Sequence, residues 1–302
     1  MEERKNITIA GVKRDTRFSP NHIDNDALIF ALTANSLRNR GYEVTEYTES
    51  EFAASEIAEP VIFNMARDRY TIRKLQELEN EGRLVFNSGY GIENCTREKM
   101  TRILLSHQVP HPESVITKTI DTHHLQLFAG SEEMWVKRGD FQAVQSNDVI
   151  FVRNADEARL VLNEYASRGI ETAVINKHLK GDLIKFYGVS GGDFFHWFYP
   201  TETNHSKFGL EKINGKPEGI AFCEYELKRT CSQAADALGV HIYGGDCVVC
   251  ENDGSIKIID FNDWPSFAPC RNDAAPHIAA AICTAMEEAR KPELELAAIP
   301  NR

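Results

Sequence analysis

The segment richest in potential chemistry runs Gly244-Gly-Asp-Cys-Val-Val-Cys-Glu251, Asn252-Asp-Gly254, Ser255-Ile-Lys-Ile-Ile-Asp-Phe-Asn262. Two β-rich runs around Asn-Asp-Gly predict a hairpin. If residues 252–254 form a three-residue loop with Gly254 left-handed, Glu251 opposes Ser255 and Asp246 opposes Asp260. Asp246, Asp260 and Asn262 then share one face with Val248, Cys250, Ile256 and Ile258. A two-residue loop would shift the pairing by one and part the acids. Carboxylates brought together on an apolar face repel and are costly to dehydrate unless a cation compensates. Three hard oxygen ligands, with room for water and phosphate oxygens, describe a Mg²⁺ site that holds a nucleotide. With no ligand, the same residues would be solvated strand-end acids and a turn-forming Asn.

Several cations could meet an anion. Lys99 lies in Asn94-Cys-Thr-Arg-Glu-Lys-Met100, Lys137 in Trp135-Val-Lys-Arg138 and Lys185 in Asp182-Leu-Ile-Lys-Phe-Tyr-Gly188. Lys13, Arg14 and Arg17 occupy one loop after a predicted strand, and Arg67 and Arg69 another; both loops fall where ligands of parallel sheets bind, although charged loop residues are often only solvated. Ser266 and Arg271 follow the hairpin and are candidates for an acceptor substrate. His178 and His196 read as neutral ring donors in a packed cleft. Cys247 and Cys250, three apart on a strand, point to opposite faces, which suits core thiols better than a redox or zinc pair.

The elements that must position these residues follow from periodicity. Strands at 7–12, 44–47, 61–63 and 84–86 alternate with helices over Ala27–Leu37 and Tyr70–Leu78, each helix stopped by a glycine, and predict a small parallel sheet with helices on its faces. Thr96 caps a helix to His107, and Val109-Pro-His-Pro112 marks a domain boundary. Strands at 134–138, 149–152 and 172–175 around a helix over 155–168 make a small α+β lid. Strands at 184–189 and 194–199, a helix over 222–238, the hairpin and a last helix over 274–290 complete the chain. The predicted units are 1–108, 109–176 and 177–302.

This order of features resembles the ATP-grasp superfamily: an α/β substrate domain, a Lys shortly after a strand, a lid strand ending in a second Lys, a linker strand and a late hairpin bearing acid, acid-x-Asn. The resemblance covers most of the chain. It implies a Rossmann-like N-terminal domain, a central lid and a C-terminal mixed-sheet domain. It further implies that Lys99 and Lys137 contact ATP phosphates, that Asp246, Asp260 and Asn262 hold Mg²⁺ or Mn²⁺, and that the backbone of Asn176, Lys177, His178 and Leu179 meets the adenine edge, with Asp182 toward the ribose. Lys185 stands where many ligases of the superfamily carry an Arg facing the transferred phosphoryl group. That Lys and the Asp260-x-Asn262 pair resemble the inositol phosphate kinase branch, since Glu-x-Asn is more usual in ligases. The lid loop Gly139–Asn147 has one glycine where many members have several, so closure would rely on side chains such as Arg138 and Gln142.

The expected activity is a carboxylate–amine ligase working through an acyl phosphate, with a polyol or inositol phosphate kinase, or a nucleotide-binding protein without turnover, as alternatives. Across 302 residues, 34 Lys plus Arg face 45 Asp plus Glu, and the charge of −11 is spread along the chain, which argues against nucleic acid. Apolar runs are too short for a bilayer, and the N-terminus lacks the apolar stretch of a signal peptide. Seven scattered cysteines suit a reducing compartment. These features predict a cytoplasmic enzyme acting on a small molecule or short peptide, and the resemblance adds a homodimer.

Overall fold

The computed structural model describes residues 7–18, 23–123, 125, 133–140, 145–200 and 213–297. Three four-stranded sheets carry the fold. In the first, β1 (Thr8–Val12), β2 (Glu43–Tyr47), β3 (Val61–Asn64) and β4 (Leu84–Phe86) run parallel in the order β2-β1-β3-β4. Parallel neighbours need crossovers, supplied by α1 (Ile23–Asn39), α2 (Glu49–Ala54) and α3 (Arg69–Asn80). The Thr48 hydroxyl and Glu51 carboxylate exchange hydrogen bonds with each other's backbone N–H, a capping box that starts α2. Asp68 caps α3, accepting from the N–H groups of Tyr70 and Thr71.

Two short helices follow, α4 (Gly89–Asn94) and α5 (Arg97–Ser106). The second sheet is antiparallel, β5-β8-β6-β7, from β5 (Ser114–Lys118), β6 (Met134–Arg138), β7 (Val149–Val152) and β8 (Thr172–Lys177), with α6 (Ala155–Ser167) packed on it. The third, β10-β9-β11-β12, is also antiparallel. It comprises β9 (Gly181–Val189), β10 (Phe195–Phe198), β11 (Ile242–Cys250) and β12 (Ile256–Asp263), with α7 (Glu224–Leu238) before the hairpin and α8 (Arg271–Ala297) last. No helix among the described residues is long and apolar enough to cross a membrane.

Packing crosses the sheet boundaries. Ile278, Ile282 and Met286 of α8 share a core with Ile9 of β1, Phe63 of β3 and Ile29 of α1, so the last helix covers the first sheet. Met100 and Leu104 of α5 pack with Leu227 and Leu238 of α7 and with Ile258 of β12, so α5 belongs to the core of the third sheet. Asn87 ties the first and third sheets: its Oδ1 accepts from the N–H groups of His241 and Ile242, both at 2.9 Å, and its Nδ2 donates to the Ile242 carbonyl at 2.7 Å. This buried carboxamide satisfies backbone groups as a neighbouring strand would.

Candidate functional site

The hairpin forms, and Asp246 pairs with Asp260, but the turn does not set that register. Cys250 and Ser255 close a longer loop, in which Gly254 takes a left-handed φ of 66°. From there Val249 pairs with Ile256 and Cys247 with Ile258; a bulge next to Asp246 then brings Asp260 opposite it. Ile259 is the extra residue. The predicted apolar face is corrected accordingly: Ile256 and Ile258 pack with Cys247 and Val249 in the core on the far side from the acids. Only Val248 and Cys250 keep their predicted alternation with Asp246.

A cross-strand row results. Lys185 of β9 neighbours Asp246 of β11, which neighbours Asp260 of β12. Lys185 Nζ donates to Asp246 Oδ1 at 2.8 Å. In the next row Asn262 opposes Gly244, which opposes Tyr187, and Asn262 Nδ2 lies 3.4 Å from Asp260 Oδ2. Glycine is required at both positions preceding Asp246. A Cβ on Gly245 would sit 2.2 Å from the Asp260 carbonyl oxygen, and one on Gly244 would sit 2.6 Å from the Tyr187 ring.

Two further cations reach this row. Lys137, buried at the end of β6, donates to the Ile259 carbonyl at 2.8 Å, so the bulged residue supplies the acceptor that anchors the lid-strand lysine. Arg97, 94% buried at the start of α5, donates from Nη2 to Asp260 Oδ1 at 3.1 Å. Its Nε and Nη1 are buried with no hydrogen-bond partner among the described residues. Burial lowers the Lys137 pKa to about 8, with Arg97 pushing the same way and Asp260 and Asp246 opposing. Burial raises the Asp260 pKa, but Arg97 and Lys137 outweigh it and leave the carboxyl below its ordinary value.

Arg97 is the residue that sequence reasoning missed. Lys99, chosen instead, is half-exposed and pairs with Glu93 at 2.7 Å. Positions two apart on a helix face away from each other, so α5 cannot aim both side chains at Asp260. A cation at the first helical position was the available signal.

Asp182, expected toward the ribose, is buried among the core-facing residues of β9, where its carboxylate accepts from the backbone N–H groups of Glu218, Gly219 and Ile220 at 2.7–2.9 Å. In the linker, the N–H groups of Lys177 and His178 donate to the carbonyls of Glu113 and Glu133, and the Leu179 carbonyl accepts from Asn214. Trp135 Nε1 donates to His178 Nδ1 at 3.0 Å, and burial lowers the His178 pKa. Asn176 Nδ2 donates to Ser114 Oγ at 2.6 Å, while the Lys177 ammonium is exposed near Glu113. Arg138 spends its guanidinium on Asp140 and Asp148; Gln142 lies outside the described residues.

The N-terminal cations mostly hold the chain together. Glu49, buried at the start of α2, accepts from the N–H groups of Asp15, Arg67 and Asp68 at 2.6–2.9 Å and so joins the two loops; burial raises its pKa. Arg14, whose side chain is 7% exposed, donates to Met65 O, Asp26 and Trp264 O. Arg67 is buried against Asp263, through both the carboxylate and the backbone carbonyl. Lys13 pairs with Glu46, and Arg17 with Asp68, both at 2.8 Å. These four side chains are thus engaged in internal ion pairs, and Arg69 alone of the set is exposed without a partner among the described residues. Arg271 ties α8 to Asn25 of α1 at 2.6 Å, and Ser266 is half-buried in the loop after β12.

The structure thus gathers Lys137, Lys185, Asp246, Asp260 and Asn262, adds Arg97, and leaves Lys99 and Asp182 outside. Buried cations with uncommitted donors next to ionised carboxylates suit an anion that arrives with its own hard cation. No protein-family model matches the sequence, and no curated protein matches it. Solved structures do. The D-alanine–D-alanine ligase of Bacillus anthracis complexed with ATP superposes with a TM-score of 0.69 at 14% identity, covering 95% of this chain and 99% of that one. The D-alanine–D-alanine ligase of Coxiella burnetii gives 0.68 at 13% identity, over 96% and 98% of the two chains. The ATP-grasp ligase PsnB complexed with a minimal precursor gives 0.60 at 16% identity, over 93% and 99%. Near-complete coverage in both directions at these TM-scores shows that this chain, with its one parallel and two antiparallel sheets, shares the fold of these ligases.

Proposed function

We propose that the protein is an ATP-dependent ligase that joins a carboxylate to an amine. The observation that carries this reading is the convergence of Arg97, Lys137 and Lys185 on the row formed by Asp246 and Asp260, with two buried nitrogens of Arg97 left without partners among the described residues. A buried guanidinium with idle donors is costly, and a polyphosphate would satisfy it.

Asp246 and Asp260 are cross-strand neighbours and Asn262 lies beside Asp260, so the three offer a divalent cation a set of hard oxygens. They would hold Mg²⁺ or Mn²⁺, which supplies charge neutralisation to the phosphates. The Leu179 N–H, which donates to nothing among the described residues, would meet the adenine edge. In the reaction a substrate carboxylate oxygen attacks the γ-phosphorus, the bond to the β-bridging oxygen breaks, and ADP leaves. The amine nitrogen then attacks the acyl carbon, loses a proton, and inorganic phosphate departs. Arg97, Lys137 and Lys185 would stabilise the charge that moves with the phosphoryl group. Residues 1–108, 109–176 and 177–302 would act as substrate side, lid and core, with α5 and α8 packed across those divisions.

A second reading, transfer to a hydroxyl, rests on Lys185: its ammonium is a point charge already paired with Asp246, where a planar guanidinium would suit a tetrahedral acyl intermediate better. The test is Mg²⁺-dependent ADP release from ATP across pools of amino acids, short peptides, dicarboxylates and inositol phosphates, with hydroxylamine present and the double variant Asp260→Ala, Asn262→Ala alongside. A stimulated pool that yields hydroxamate, and is silent in the variant, supports the ligase. Stimulation without hydroxamate supports the kinase. ATP binding with no stimulated release supports a binding protein.

A further inference from the structure

We propose that a second anion site lies beside the reaction centre, where Arg69 and Arg73 of α3 take a small carboxylate or phosphate. A cavity of about 390 Å³ opens between α3, the first turn of α5 and the end of the lid strand at Gly139. Its charged lining can be sorted by commitment. Arg67 is spent on Asp263, Lys99 on Glu93, Glu98 on Arg102 and Asp140 on Arg138.

What remains is Arg69 and Arg73, which have no ion-pair or hydrogen-bond partner among the described residues. They are four apart on one flank of α3, so their guanidiniums are neighbours and repel. Arg73 adds only a weak, longer-range pull on Glu93, after Lys99 and Gln76. In a chain of net charge −11, two guanidiniums on one helix flank with no carboxylate paired to either among the described residues, facing a concavity whose own acids are paired elsewhere, are an arrangement that an oxyanion relieves. The planar fork of each fits carboxylate and phosphate alike.

The cavity backs onto the acid row. Arg67, in its wall, grips Asp263 at the end of β12, and α5 presents Lys99 to the cavity while its Arg97 reaches Asp260. The Glu98 N–H also donates to the Gly139 carbonyl at 2.9 Å, which joins the cavity wall to the lid strand. The site does not depend on the ligase reading, since it requires no ATP.

The experiment is calorimetric titration of the full chain with inorganic phosphate and, separately, succinate, at fixed ionic strength, comparing wild type with Arg69→Gln/Arg73→Gln and with Arg159→Gln/Arg229→Gln, which removes two exposed cations away from the cavity. Arg69 and Arg73 are solvent-exposed and have no partner among the described residues, so the double variant folds as wild type, which its melting curve checks. Saturable binding weakened at least tenfold in Arg69→Gln/Arg73→Gln and unchanged in Arg159→Gln/Arg229→Gln supports the site, and the better of the two probes names the oxyanion. Equal weakening in Arg159→Gln/Arg229→Gln would mean general charge screening and overturn it. So would saturable binding that Arg69→Gln/Arg73→Gln keeps, which would place the anion on Arg97 and Lys137 instead, or no saturable binding of either probe.

Discussion

Arg97 and Asp260 meet across 163 positions of sequence, the Nη2 donor 3.1 Å from Oδ1, at the junction of α5 with the bulged strand β12. This contact places a buried cation beside the acid row that Lys99, two residues on, cannot reach. Arg97→Met is expected to weaken ATP binding about 10–100-fold, the loss of one charge-assisted hydrogen bond of roughly 1.5–3 kcal/mol. Lys99→Met should stay within about threefold of wild type, as suits an exposed pair. Nucleotide titration of both variants checks this; the reverse order of effects would return the phosphate role to Lys99.

Lys137 should give the site a pH dependence. Its pKa in the folded chain is about 8, against an ordinary 10.5 when unfolded. Between these values the unfolded chain binds the extra proton, so stability rises with pH across that window and the cost of charging buried Lys137 is fully present below it. Lys137→Met removes that cost, about 3 kcal/mol from the shift, less about 1 kcal/mol for the lost bond to Ile259. Chemical denaturation at pH 7 should show the variant more stable by about 2 kcal/mol. ATP affinity of the wild type should fall above pH 8, by up to about tenfold per unit, and Lys137→Arg should flatten that decline. A flat wild-type profile would contradict a titrating Lys137.

Asp182 separates structure from function. Asp182→Ala leaves three backbone N–H groups near residues 218–220 without their acceptor and should lower the unfolding free energy by roughly 3 kcal/mol. ATP affinity in the folded variant should be unchanged within about twofold. Denaturant curves and a nucleotide titration on the same preparation read both; a selective loss of ATP binding would restore its ribose role.

Ile259 allows a sharper test of the bulge. Deleting it leaves Ile258 opposite Cys247 and Asp260 opposite Asp246, now in a regular ladder, but removes the carbonyl that Lys137 uses. The deletion should fold and keep the acids aligned. The Lys137 ammonium, with its anchor gone, should react several-fold faster with an amine-selective reagent. Unchanged lysine reactivity would show that the bulge does not hold the lid strand.

Much of this was legible in the sequence because it is local. Strong periodicity with glycine stops marked α1, α3, α6 and α7, and Gly41, Gly82, Gly169 and Gly239 all adopt positive φ. The pairing of Asp246 with Asp260 was anticipated for an incomplete reason: the turn alone gives a register one residue short, and the bulge restores it. A bulge leaves no mark in a run such as Ile256-Lys-Ile-Ile-Asp260, since each residue fits a strand. α2 was overlooked although Thr48-Glu-Ser-Glu51 is a capping signature. The pairing of the charged loops was hidden because Asp26 and Asp263, 12 and 196 positions from Arg14 and Arg67, meet them only once the chain is folded.

The placement of α8 bears on how the chain is made. Ile278, Ile282 and Met286 finish the core begun by Ile9 and Ile29, so the first sheet cannot bury its apolar face until the last helix exists. During synthesis from the N-terminus, the first domain to emerge must stay incomplete, and exposed to aggregation, while roughly 200 further residues are added over about 10–40 s at 5–20 residues per second. The first sheet is therefore closed by the end of the chain, and a ribosome stalled before residue 271 would release a product with an open core.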